Sequence, residues 1–166
     1  MMKKIFSINS SLLIGLGFIG IAALLISCDS NKFYDESLSL PNDKWPKDEA
    51  LSFNVNIEDT ISTYRFFINV RNNTSYKYNN IYFFLTTRFP DGGMSRDTIE
   101  CLLAAKNGDW LGKGSGHYRD SRIPIRNNIR FPKKGTYTLS LNQAMREDEL
   151  PGISEAGVRL EKEKTE

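Results

Sequence analysis

The position of Cys28 predicts a specific covalent modification. It directly follows the small residue Ser27 and an apolar run over residues 12–26, and a pair of lysines at positions 3 and 4 precedes that run. A positive start, a short apolar segment and a small residue at the cleavage position are typical of a secretory signal. The sequence therefore predicts a lipoprotein signal peptide over residues 1–27 and acyl chains on Cys28, each buried methylene adding about 0.8 kcal/mol of membrane attachment.

A membrane-spanning helix is the alternative interpretation of the same apolar run. At about 1.5 Å per residue, residues 12–26 would span about 22 Å, against a hydrocarbon core of about 30 Å. The run also contains three glycines, at positions 15, 17 and 20. Its length and composition favour the cleaved signal.

Residue types that support catalysis are few. His117 is the single histidine, which excludes a two-histidine zinc motif, and the chain has no Cys-x-x-Cys pair. The glycine-rich run over residues 112–116 matches neither a phosphate-binding loop nor a nucleophile elbow. Four aspartates near expected turns could bind calcium or hydrolyse a glycoside, but turn aspartates more often cap backbone amides; they are Asp91, Asp97, Asp109 and Asp120. We predict no enzyme activity, no cofactor and no metal site.

Three arginines, Arg122, Arg126 and Arg130, follow one another at four-residue intervals in a segment of strand character. On one strand face they would lie about 13 Å apart and could grip an acidic partner surface. The alternative is a solvated face on an edge strand, which Pro124 favours and where positive charge blocks unwanted pairing. We treat the row as a candidate partner surface.

A second candidate surface is aromatic. Tyr76, Tyr78 and Tyr82 cluster around two asparagines, and exposed tyrosines at a loop could stack on sugar rings, although such residues more often close a core. Thr60 and Thr98 each lie in an Asp-Thr-Ile triplet that resembles a short bacterial O-glycosylation signal or a simple turn-to-strand junction.

Bulk properties limit the function classes. Without residues 1–27 the chain has 139 residues, the size of one domain, and its 20 basic and 20 acidic side chains cancel. Nothing in this balance suggests attraction to nucleic acid. With Cys28 lipidated, Cys101 has no disulfide partner, and we expect it to be a small buried apolar residue.

Apolar residues recur at every second position in most of the chain after the signal. This period is typical of half-buried strands, and it recurs in about eight or nine short segments. Helical character is limited to a possible turn or two over residues 142–149. We therefore predict an all-β fold, an antiparallel β-sandwich of immunoglobulin-like or jelly-roll kind over residues 50–161. Residues 28–49 would be a lipidated tether or a first strand, and residues 162–166 a charged tail.

Several short phrases, in their order along the chain, resemble the GldH family of gliding-motility lipoproteins from Bacteroidetes. The resemblance covers about residues 28–161, and its phrases are Leu40-Pro41-Asn42 with Trp45, Trp110-Leu111-Gly112 with Gly114, Arg130-Phe131-Pro132 with Gly135-Thr136-Tyr137, Gln143-Ala144-Met145-Arg146 and Gly157-Val158-Arg159-Leu160.

The resemblance implies a non-enzymatic envelope lipoprotein that supports the movement of surface adhesins, in a system linked to type IX secretion. It assigns no catalytic residue. We expect a lipid-anchored protein that faces the periplasm from the inner or the outer membrane and binds other envelope proteins. Glycan binding through the tyrosines is the alternative. We also expect Trp110 to pack against the sandwich, with Gly112 and Gly114 allowing a close turn.

Overall fold

The computed structural model describes residues 31–163, which form ten β-strands and one short 3-10 turn at Pro41–Asp43. The predicted signal segment and Cys28 lie outside the described residues. The strands are β1 (Lys32–Ser39), β2 (Lys44–Pro46), β3 (Leu51–Ile57), β4 (Tyr64–Asn73), β5 (Asn80–Arg88), β6 (Met94–Leu102), β7 (Tyr118–Ile129), β8 (Gly135–Gln143), β9 (Glu149–Pro151) and β10 (Ile153–Lys162).

Eight of these strands form two four-stranded antiparallel sheets. Sheet I has the strand order β1-β10-β4-β7, and sheet II has the order β3-β8-β5-β6. The short strands β2 and β9 form a separate antiparallel pair. The predicted all-β, antiparallel sandwich is confirmed.

The alternating sequence pattern explains why these segments form strands with one buried face. Along β3, buried and exposed residues alternate at every position. Its apolar residues pair with those of β8, for example Phe53 with Leu139 and Val55 with Tyr137. Because side chains alternate across a strand, a shift of one residue would expose this whole face, and the pattern therefore fixes the register.

The core lies between the two sheets and is mostly aliphatic and aromatic. Trp45 is fully buried, lies 5.6 Å from the Phe83 ring between centroids, and donates its indole N–H to the Glu49 carbonyl at 3.0 Å. The short β2–β9 pair thus contributes the largest fully buried side chain of the described residues.

The helical turn expected over residues 142–149 is absent. β8 continues to Gln143, and β9 begins at Glu149. Between them, the Gln143 side chain accepts from the Met145 amide and donates to the Glu147 carbonyl, both at 2.8 Å. These bonds satisfy backbone groups that a helix would otherwise pair, so the chain can turn without one. Within residues 31–163 there is no helix with the length and hydropathy that a membrane crossing requires.

The chain before residue 50 contains an ordered strand. β1 pairs with β10 along its length, from Lys32 opposite Glu161 to Ser39 opposite Glu155. Of the two possibilities that the sequence left open for residues 28–49, the described part therefore includes a first strand.

Candidate functional site

The three arginines do not form a single row. Arg122 pairs with Asn69, on the face of sheet I that points away from the core. The β4–β7 register then shifts, so that Arg126 pairs with the buried residue Phe66 and lies on the core side. A β-bulge changes which face the following side chains use. Arg130 follows the end of β7, so only Arg122 remains on the outer face.

Arg122 lines a broad groove. The groove has a volume of about 1000 Å³ and lies over the outer face of sheet I. We call it the outer groove. Its charged lining residues come from five strands and from the segment before β7, and they are Asp35, Arg71, Glu100, Lys113, Asp120, Arg122 and Glu155.

Ion pairs hold five of the seven charged side chains of the outer groove. The guanidinium of Arg71 lies 3.6 Å from Asp120 and 3.5 Å from Glu155, and it stacks over Tyr118 at 5.1 Å from the ring centroid. Arg122 lies 3.8 Å from Asp35. Exposed pairs of this kind contribute about 0 to 1 kcal/mol each. Their main effect is therefore to orient the charges along the groove, with little gain in stability.

A buried arginine lies beside this surface. Arg159 is 1% exposed, and its guanidinium contacts Asp35 of β1 at 2.5 Å and Glu161 at 2.8 Å. Glu161 also accepts from Arg65 at 2.6 Å. Gly157 brings β1 close, because a Cβ there would lie 2.3 Å from the Glu36 carbonyl oxygen. Gly157 and Arg159 thus attach β1 to β10 and fix Asp35 in the outer groove.

One side of the outer groove is formed by β6 and by the segment over residues 103–117. Leu102 is 54% exposed and Leu111 57% exposed, and both line the groove. Between them, Ala104 and Trp110 form an isolated bridge, and Trp110 is half-buried against the core. The predicted packing of Trp110 is confirmed, although the fully buried tryptophan is Trp45.

Two glycines allow this segment to approach β7. A Cβ at Gly112 would lie 2.6 Å from Ser121 Oγ, and one at Gly114 would lie 2.6 Å from the Tyr118 carbonyl oxygen. The close turn expected for these glycines is confirmed. Ser121 Oγ, which lies in the groove lining, is buried and has no hydrogen-bond partner among residues 31–163.

The structure separates the three tyrosines. Tyr76 is buried, and its hydroxyl donates to the Asn80 carbonyl at 2.9 Å. Tyr78 packs edge-on against Tyr76 and donates to Glu147, whose carboxylate raises the pKa of the Tyr78 hydroxyl. Tyr82 is exposed on the outer face of sheet II, opposite Glu100. The three residues therefore do not form one exposed stacking surface.

The candidate glycosylation threonines lie on different elements. Thr98 is exposed on the outer face of β6, opposite Phe84. Thr60 is half-buried in the loop after β3, where the Asp59 carboxylate accepts from the Ile61 and Ser62 amides. The hydrogen bond from Lys162 contributes most to lowering the pKa of Asp59, and the hydrogen bonds from Ser62 lower it further.

The four aspartates considered for calcium also lie apart. Asp91 pairs with Lys133, Asp109 accepts from Asn107, and Asp120 pairs with Arg71. Asp97 lies on the core side of β6, opposite Leu85. Over residues 31–163 no three histidine, cysteine or carboxylate side chains are close enough to hold a metal ion.

Cys101 is fully buried on β6, opposite Ile81. Burial, with a smaller contribution from Glu100, raises the pKa of its thiol to about 12. The expectation of a small apolar role for Cys101 is confirmed, because a thiol with so high a pKa carries almost no reactive thiolate at neutral pH.

The sequence alone missed most of the outer groove. The groove's arginine on β4 and its acidic residues on β1 and β10 come from three segments that are far apart in the sequence. The sequence did contain one local signal, because the charged residue Arg159 lies between the apolar residues Val158 and Leu160. A charge in an apolar run suggests a buried pair, although it does not name the partner.

Comparison with known proteins adds the family. The chain matches the family described as GldH lipoprotein over residues 32–160. A Christiangramia forsetii protein named gliding motility lipoprotein GldH homolog is 37% identical over 152 residues, covering 87% of this chain and 93% of that protein. The Flavobacterium johnsoniae gliding motility lipoprotein GldH is 31% identical over 147 residues, covering 84% and 91%. This chain therefore belongs to the GldH lipoprotein family.

Proposed function

We propose that this chain is a non-enzymatic, lipid-anchored protein of the cell envelope that supports gliding motility by binding another envelope protein through the outer groove. Membership of a family of gliding-motility lipoproteins is the observation that carries the motility assignment. The movement of surface adhesins and the link to type IX secretion are part of the same proposal.

The composition of the outer groove supports a protein partner. Protein interfaces combine an apolar centre with oriented polar groups and a solvated rim. Here the exposed side chains of Leu102 and Leu111 lie beside the ion pairs of Arg71 and Arg122. A partner segment can cover the leucines and bond to the charged groups at once.

The proposed anchor also favours a partner near the membrane. β1 starts at Lys32, four residues after Cys28, and this connection spans at most about 14 Å. An acylated Cys28 would hold the sandwich close to its membrane, and we infer that it faces the periplasm. Partners embedded in or attached to the same membrane are then the most accessible.

Site-specific photocrosslinking in gliding cells tests the proposed surface. A photoreactive amino acid replaces Leu111 in one strain and Asn54, on the outer face of sheet II, in a matched control strain. We expect crosslinks from position 111 to a motility or secretion protein, and none to that protein from position 54. If position 111 gives no crosslink to an envelope protein, or if both positions give the same products, the proposed surface is wrong.

A charge reversal tests the contribution of the ion pairs. Arg122→Glu replaces the outer-groove arginine that lies 3.8 Å from Asp35, whereas Lys47→Glu changes a similarly exposed lysine outside the groove. Like charges at an interface oppose association, so Arg122→Glu should reduce the crosslink yield and the spreading of colonies. Lys47→Glu should leave both unchanged. Equal behaviour of the two variants would contradict the proposal.

The glycan-binding alternative has little support from the tyrosines. Sugar stacking requires exposed aromatic faces, whereas Tyr76 is buried and Tyr78 is engaged by Glu147. A glycan array with the full chain tests this alternative directly. Binding that is lost in Tyr82→Ala would favour it over a protein partner.

A further inference from the structure

A second cavity opens between the two sheets, on the side where β6 and β7 approach each other. Its volume is about 290 Å³, near the lower limit of about 300 Å³ for small-molecule sites. We call it the intersheet cavity. Most of its lining is apolar, and the buried part is formed by Phe66, Leu85, Phe131, Tyr137, Leu139 and Leu160.

Two arginines lie at the mouth of the intersheet cavity. The side chains of Arg126 and Arg130 are exposed, both line the cavity, and neither side chain has a hydrogen bond or an ion pair with any residue from 31 to 163. Asp97 is the one carboxylate among the lining residues, so the mouth has an excess of one positive charge. An apolar cavity with a cationic mouth complements a ligand with an apolar tail and an anionic head.

The irregular course of β7 produces this arrangement. The register shift that moves Arg126 to the core side also leaves Ile125 half-buried beside it. A further shift follows before Ile129, and Asn128 adopts a φ of 56°. A left-handed backbone conformation is uncommon for a residue other than glycine. Bulges often redirect side chains next to functional sites, and here two irregularities bring arginines to one cavity.

The intersheet cavity lies near the end of the sandwich at which β1 begins. Its lining residue Ile129 pairs with Tyr64, which pairs on its other side with Lys162. The amide of Lys162 in turn donates to the Asn31 carbonyl at 2.9 Å. The chain thus reaches this end within three residues of Cys28, the proposed lipid attachment.

We propose that the intersheet cavity binds a fatty acid, with the acyl tail between the sheets and the carboxylate on Arg126 and Arg130. The apolar lining, the two arginines at the mouth and a volume that suits one acyl chain support this assignment. A guanidinium fits a carboxylate with two parallel hydrogen bonds, which favours this headgroup. This site is separate from the outer groove, and binding a protein partner does not require it.

Photolabelling of the full chain in phosphatidylcholine nanodiscs tests the site. The probe is a saturated fatty acid with a diazirine near its methyl end, and the matched neutral probe is the corresponding fatty alcohol. We expect the acid to label cavity residues, identified by peptide mass spectrometry, and the alcohol to label them at least about tenfold less efficiently. Equal labelling by both probes, or labelling confined to the outer faces of the sheets, would overturn the proposal.

Three variants separate the headgroup contact from the cavity itself. Arg126→Ala combined with Arg130→Ala removes two exposed cations and should weaken fatty-acid binding about tenfold or more, which corresponds to about 1.4 kcal/mol or more. Ser95→Trp should reduce labelling by filling the mouth, because Ser95 is an exposed lining residue. Arg146→Ala changes an exposed arginine that lines neither the cavity nor the outer groove; it is the matched control and should bind the fatty acid normally. The same loss in the control would refute a local site.

Native mass spectrometry of the chain purified from its envelope gives an independent answer. A bound species with the mass of a fatty acid, lost in the Arg126→Ala/Arg130→Ala variant, supports the proposal. A bound peptide in its place would show that the cavity accepts a protein segment, and it would overturn the assignment of a fatty acid.

Discussion

Replacement of Arg159 by methionine is the perturbation that best tests how β1 is attached. Arg159 is 1% exposed and joins Asp35 of β1 to Glu161 of β10. Methionine retains much of the apolar volume but removes the charge. Two partly buried carboxylates then lose their shared partner, and β1 loses the buried ion pair between Asp35 and Arg159.

The magnitude follows from the burial of the partners. Removing one member of a buried ion pair costs about 3 to 5 kcal/mol. The lower value applies here, because each carboxylate keeps another hydrogen-bond donor. Arg65 still donates to Glu161 at 2.6 Å, and the side-chain amide of Asn69 still donates to Asp35 at 2.9 Å. We therefore expect a loss of about 3 kcal/mol and a fall in Tm of about 12 °C for a domain of this size.

Thermal unfolding and amide hydrogen exchange measure the effect together. Arg159→Met should lower Tm and should speed exchange in β1 more than in β3, because Asp35 of β1 loses its ion pair while β3, the edge strand of the other sheet, contains no charged residue that could pair with Arg159. Arg122→Met is the matched control, because its ion pair to Asp35 is exposed and is worth at most about 1 kcal/mol. In a double-mutant cycle with Asp35→Asn, the two losses should be less than additive by about 1 to 2 kcal/mol. A Tm within about 2 °C of the original chain, or full additivity, would refute this reasoning.

Three other predictions concern the core, the free thiol and the anchor. Trp45→Ala should cost about 3 to 5 kcal/mol and Trp110→Ala clearly less, because only Trp45 is fully buried; urea unfolding of both variants checks the order. With a pKa of about 12, Cys101 should be about one ten-thousandth thiolate at pH 8 and should react with a thiol reagent only after unfolding; rapid reaction of the native chain would contradict this. Cys28→Ser should release the protein from membranes and prevent its labelling by radioactive palmitate, and a variant that stays membrane-bound would exclude lipid anchoring.

Local patterns predicted the fold class because alternation has a direct physical meaning. Residues 51–57 alternate perfectly and form β3 as expected. Segments with weaker alternation were harder to place. β1 contains mainly exposed residues, and the short β2 and β9 contribute one buried residue each, so no period marks them as strands. They form because longer neighbours offer backbone groups to pair with.

The arginine row illustrates why a surface is harder to predict than a strand. Spacing along the chain places Arg122 and Arg126 on one face only if the strand is regular. The β4–β7 register contains two shifts, and the first places Arg126 beside Phe66. A bulge depends on how two strands fit each other, so the sequence of one strand does not reveal it. The candidate row therefore divides between the outer groove and the intersheet cavity.

The sequence by itself determined the all-β class, the buried state of Cys101 and the order of phrases that indicates the family, because each depends on residue type and local period. Only the tertiary structure decided which distant segments share a surface. The outer groove combines side chains from β1, β4, β6, β7 and β10, and the buried contacts of Arg159 join residues 124 positions apart. Such contacts arise from strand order and register, which result from the packing of the whole core.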